Sequence, residues 1–153
     1  MRLSTKGRYA VMAMVDLAHH SRGNPVALAE IAERQEISLS YLEQLFAKLR
    51  RQLLVKSVRG PGGGYLLARS ARDTLISDIV VAVDEPLRAT RCAPGSPHGC
   101  TLSKSRCLTH DLWEALSDQI ALYLESVSLE DVCERRVIPQ SRLKATIANF
   151  AAE

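Results

Sequence analysis

No apolar run in the sequence approaches the roughly 20 residues needed to cross a bilayer. Its opening, Met1-Arg2-Leu3-Ser4-Thr5-Lys6-Gly7-Arg8, is polar and basic where a secretion signal would be apolar. A cytoplasmic protein with no membrane partner is therefore expected. Cysteine is sparse, with four residues in 153. In a reducing compartment such thiols point to metal or redox chemistry rather than a disulfide framework. The glycine-rich run near residue 60 lacks the Lys-Ser/Thr of a phosphate-binding P-loop and leads into a strand rather than a helix. No Ser-His-Asp set or carboxylate pair can be placed in a pocket, so an enzyme is not expected. What is present is 46% apolar. That suits one ordinary globular domain, or a small domain with an appended element.

Charge is unevenly spread. Residues 1 to 70 carry 11 Lys and Arg against 5 Asp and Glu, whereas the remainder carries 9 against 12. A basic first half is what a phosphate-binding surface needs, because neutralised phosphates release counterions. A solvated basic surface would have the same composition.

Ser4 or Thr5 can cap a first helix, in which Tyr9, Ala13 and Leu17 beside Ala10, Met14 and Ala18 form one apolar stripe. Ser21-Arg22-Gly23-Asn24-Pro25 breaks it, and a shorter helix follows with Leu28, Ile31 and Ala32 on one face. The chain restarts at Ser38 or Ser40, with Glu43 placed to complete a capping box with Ser40. A third helix, roughly 39 to 51, gathers Leu42, Leu45, Phe46 and Leu49 in one arc and turns Ser40, Gln44, Ala47, Lys48 and Arg51 the other way. Two helices joined by a short turn, the second showing small polar, amide and basic side chains, match a helix-turn-helix with its recognition helix. Leu54 to Val58 and Tyr65 to Ala68 read as strands around Arg59-Gly60-Pro61-Gly62-Gly63-Gly64. A hairpin after a recognition helix is a wing. Its glycines, Gly60 among them, permit positive φ and close approach to phosphate, and Arg59 suits a narrow minor groove.

Leu75 to Asp84 is read as a helix with Ser77 as its N-cap. From Pro86 to about residue 107 the chain has no apolar period, yet it holds Cys92, Cys100 and Cys107, with His98 within it and His110 just beyond. A loop of this length is usually functional or disordered, and a metal centre would order it. Seven residues separate Cys92 from Cys100, six separate Cys100 from Cys107 and two separate Cys107 from His110. Zinc sites usually show tighter cysteine pairs. A 2Fe-2S cluster tolerates wide spacing and accepts histidine. The spacing leaves an iron-sulfur cluster, zinc and a free-thiol redox sensor all open. Cys133, beside Val132, is read as a small buried apolar residue, and His19 and His20 as partners of a helix C-terminus. Trp113, Leu116, Ile120, Tyr123 and Val127 recur at steps of three or four. A long helix with that stripe can pair with its twin in a two-fold homodimer that offers two wings to a roughly palindromic double-stranded DNA operator. The same stripe could pack on the N-terminal helices. Ser128 with Asp131 starts a last short helix.

Four stretches are more specific than any of these motifs: Lys6-Gly7-Arg8-Tyr9-Ala10-Val11, Ile37 to Phe46, Ser57 to Leu67, and Cys107-Leu108-Thr109-His110 before Trp113. On them the chain resembles, over about residues 1 to 130, the IscR-type iron-sulfur cluster regulators among winged-helix transcription factors. The resemblance implies a homodimer with a 2Fe-2S cluster on Cys92, Cys100, Cys107 and His110, zinc being the alternative. It also implies control of iron-sulfur assembly genes, including repression of its own operon. It maps DNA contacts onto Ser38, Ser40, Tyr41, Glu43, Gln44 and Arg59, which join Lys48, Arg51 and Gly60. Glu43 can accept from cytosine N4, and in the family this position is thought to make one class of operator depend on the cluster. The loop between the first and last cysteines is longer here than in the best-known members. The expected organisation is mainly α with a β-hairpin wing. It comprises a winged helix-turn-helix domain (1–84), a cluster-binding loop (85–110), a dimerisation helix with a following short helix (111–136) and a tail (137–153).

Overall fold

Helix α1 (Thr5–Ser21) is the centre of the molecule, and α2 (Leu28–Gln35), α3 (Leu39–Arg51), α4 (Ile76–Ala82) and α6 (Leu129–Cys133) all pack against it. The computed structural model describes residues 4–85, 99, 101 and 105–139. Two further elements complete the fold: an antiparallel hairpin of β1 (Val55–Val58) and β2 (Gly64–Leu67), and helix α5 (His110–Glu125), which lies against α4. The mainly helical architecture with a small hairpin is the one expected.

The Ser4 hydroxyl caps α1 by accepting from the Lys6 amide at 3.2 Å. Ala10, Ala13, Met14 and Leu17 then fall on one face, and all are fully buried. Helix α2 ends at Glu36, whose left-handed backbone (φ 53°) sends its N–H and that of Ile37 back to the last carbonyls of the helix. This turn sets α3 across α2. The cap of α3 is Ser38, which accepts from the Tyr41 amide at 3.3 Å. The expected Ser40–Glu43 box does not form, because Ser40 already lies inside the helix. Leu42, Leu45, Phe46 and Leu49 are buried as their spacing predicts.

The strands pair Val55 with Leu67 through Val58 with Gly64. Val26, between α1 and α2, also bonds to Tyr65 in both directions, at 2.8 and 2.9 Å, and this fixes the hairpin to the helices. A side chain at Gly64 would collide with the Val26 carbonyl. Gly60, at φ 95°, makes the left-handed turn at the tip.

Ser77 does not cap α4. The helix starts two residues earlier, with Leu75 as its N-cap, and Ser77 is buried in its first turn. The amide at its head is satisfied from far along the chain: Ile76 N–H donates to Val127 at 2.9 Å, and Leu129 N–H donates to Thr74 at 2.8 Å. A tertiary partner has replaced the local cap. After this junction Ser128 and Asp131 form the capping box of α6, and Leu129 is fully buried in the core shared with α1 and α4.

Candidate DNA interface and metal-binding segment

The outer face of α3 carries the chemistry its sequence suggests. Ser38, Ser40, Glu43, Gln44 and Arg51 are exposed, while Tyr41 is half-buried with its ring edge-on to Tyr9 at 6.0 Å. Lys48, three residues before Arg51 on the same face, is held by Asp84 at 2.6 Å. In the wing, Arg59 and Gly60 are exposed at the start of the tip. The structure thus leaves most of the expected DNA-contacting groups facing solvent, and it binds Lys48 to a carboxylate 36 positions away.

At the other end, Cys107 and His110 are brought together by a turn in which His110 N–H donates to the Cys107 carbonyl at 3.0 Å. Cys107 is a half-buried free thiol with Thr109 Oγ1 3.6 Å from its sulfur. His110 is buried at the first position of α5, its Nε2 3.6 Å from Glu114 one turn on. A carboxylate there can orient the ring and fix which nitrogen is free to bind a metal. Thiol and imidazole donors at this separation in sequence fit an iron-sulfur or zinc centre. Cys92, Cys100 and His98 lie outside the described residues. Cys133 is half-buried near the Val15 carbonyl, and burial pushes its thiol pKa up, as suits a packing residue. His20 Nδ1–H donates to the Asp16 carbonyl at 2.9 Å in the last turn of α1.

Helix α5 buries little: Leu112 is 62% exposed, Trp113 44% and Tyr123 55%, with Leu116 and Leu122 exposed beside them. Ile120 is half-buried, and Val127, just past the helix, packs onto the core.

This combination of recognition helix, wing and Cys-x-x-His at the head of an apolar helix has known counterparts. The profile of Rrf2, described as an iron-dependent transcriptional regulator, matches residues 3–135. The chain belongs to the Rrf2 family. Among Rrf2-type relatives, the HTH-type transcriptional regulator IscR of Photorhabdus laumondii is 54% identical over 138 residues, covering 90% of this chain and 82% of that protein. IscR of Pectobacterium carotovorum is 53% identical over the same shares. Of solved structures, T. potens IscR superposes with a TM-score of 0.71 at 39% identity, covering 90% of this chain and 89% of that one. CymR, the global cysteine regulator of B. subtilis, superposes with a TM-score of 0.72 at 32% identity, covering 88% and 98%. The Rrf2 chain described here is accordingly a DNA-binding transcriptional regulator of the IscR type and not an enzyme. Among the described residues no helix is long and apolar enough to cross a membrane.

Sequence reasoning missed Asp84 and Glu114. Glu114 had a readable signal, since His110 and Glu114 are four apart on a helix. Asp84 had none, because its partner is distant in sequence.

Proposed function

We propose that the chain is a homodimeric sensor of a 2Fe-2S cluster, held by Cys92, Cys100, Cys107 and His110, that regulates iron-sulfur assembly genes from a roughly palindromic operator. The observation that carries this reading is the Cys107–His110 turn at the head of α5, in a family described as iron-dependent. A cluster there would supply a bond between the cysteine segment and α5 that exists only when iron and sulfide are available. The chain's own part is to hold the His110 ring beside Glu114, to leave Cys107 partly exposed at the head of α5, and to present α3 and the wing to DNA. Ser38, Ser40, Tyr41, Glu43, Gln44, Arg59 and Gly60 read the operator, while Lys48 and Arg51 contact phosphate. The exposed face of α5, through Trp113, Leu116, Ile120 and Tyr123, joins two copies, with Val127 at its end.

Purification without oxygen, followed by visible spectroscopy with iron, sulfide and zinc analysis, tests the cofactor. Broad absorption between roughly 400 and 600 nm with equal iron and sulfide is expected of a 2Fe-2S centre. Cys92→Ala should abolish it and change operator preference. A colourless protein with stoichiometric zinc would replace the cluster while keeping the DNA-binding role.

A further inference from the structure

Helix α4 ends in a closed left-handed turn, with Asp84 N–H donating to Val81 at 3.0 Å and Glu85 N–H to Val80 at 3.3 Å. The left-handed position is Asp84 itself, at φ 55°. The next residue, Glu85, is buried and reaches to the head of α1. There it accepts from the Ser4 amide at 2.8 Å and from the Ser4 hydroxyl. Asp84 is thereby mounted between two fixed points, and its carboxylate meets Lys48 Nζ at 2.6 Å. The Lys48 hydrogen bond and charge, with the more distant charges of Lys6 and Arg51, hold the Asp84 carboxyl below the usual aspartate range. Lys48 lies between Gln44 and Arg51 on the outward face of α3, four residues from one and three from the other. Asp84 is 74% exposed. Ion pairs of that kind add little to stability, so this contact does not explain itself as a fold-holding one.

We infer that Asp84 is an internal competitor for DNA phosphate: in the free protein its carboxylate occupies the anion position that Lys48, with Arg51 three residues on, offers to the backbone of the duplex. The inference rests on α3 being the recognition helix. A phosphate must displace the carboxylate to reach Lys48, and the released carboxylate then recruits a cation from solution. The contact therefore yields less affinity and less net counterion release than a free lysine would. Asp84 acts as a brake on DNA affinity, built into the last turn before the cysteine segment.

The test is salt-dependent binding of the full-length protein to a random duplex and to a fragment of its own promoter. Wild type is compared with Asp84→Asn, Lys48→Met and the double variant. Asparagine is nearly isosteric and tolerates the left-handed backbone, and unchanged thermal unfolding checks that the fold persists. Asp84→Asn should bind both DNAs roughly three- to tenfold more tightly at low salt. Its log–log salt slope should steepen by about 0.9 for each added phosphate contact. Lys48→Met should cancel both changes. Unchanged affinity and slope in Asp84→Asn would overturn the inference, as would a gain that survives in the double variant. If Gln44→Ala also left both DNAs bound as before, the assignment of α3 would fall with it. A weakened Gln44→Ala beside an unchanged Asp84→Asn would overturn only the role of Asp84.

Discussion

Helices α3 and α5 are written in the same amphipathic code and end up in opposite circumstances. In α3 the apolar arc of Leu42, Leu45, Phe46 and Leu49 is wholly enclosed by the chain's own core. In α5 only His110 and Ser117 are buried, and Leu112, Trp113, Leu116, Leu122 and Tyr123 face outward. An apolar stripe thus establishes that a helix will be covered, but not by what. The polar face of α3 is the one turned to solvent, whereas in α5 it is the apolar face. A contiguous apolar surface of this kind marks an interaction site.

The contrast can be broken by substitution. Phe46→Ala should cost about 3–5 kcal/mol in urea unfolding, and Trp113→Ala far less when measured on the monomer. Equal losses would mean that α5 is as enclosed as α3. Leu116→Glu should convert the proposed dimer to monomers in sedimentation and weaken binding to the proposed two-fold operator roughly hundredfold, the avidity of paired sites being lost. A variant that remained dimeric would place the interface elsewhere.

Asp16 ties α1 to α2 beneath the recognition helix. It is buried and accepts from Arg34 at 2.7 and 3.1 Å and from Gln35 at 2.8 Å. Burial alone would raise its pKa, but the hydrogen bonds and charge of Arg34, with Gln35, outweigh it and the net shift is downward. A depressed carboxyl stabilises the fold above its unfolded pKa, near 4, and that contribution fades as pH falls through the native value. Asp16→Asn should therefore cost about 1.5–3 kcal/mol at pH 7, and the gap from wild type should narrow at pH 3. A constant gap would mean that charge is irrelevant there. The smallest effect belongs to Leu53, an exposed side chain at φ 57° where α3 ends. Leu53→Gly should raise stability by about 1 kcal/mol in thermal unfolding by removing the left-handed penalty. A loss would show that the entropy glycine adds to the unfolded chain outweighs the relief of strain.

Much of this was legible in the sequence because it is local. The span of α3, its four enclosed residues, the glycine-bearing wing and the Ser128–Asp131 cap all follow from periodicity and short-range hydrogen bonding. At Ser77 and Lys48 the partner comes from elsewhere in the chain, and at Ser40 a local turn moves the helix start. Ser77 was a plausible cap for α4 until Val127 supplied the acceptor. Ser40 lost its role because the turn at Glu36 placed Ser38 at the helix start. Lys48 reads as a free cation in sequence, and Asp84 takes it in space. Of the candidate metal ligands, Cys107 and His110 could be traced because three positions and one turn join them, while Cys92 and Cys100 lie outside the described residues.

The pairing of Thr74 and Ile76 with Val127 and Leu129 is a pivot. It fixes the point at which the C-terminal end of α5 departs from the helices that carry α3. In two copies joined along α5, the separation of their recognition helices is set by the angle at that pivot. In the proposed dimer, the length of DNA between half-sites, one helical turn or a multiple of it, would follow from two backbone hydrogen bonds remote from any base.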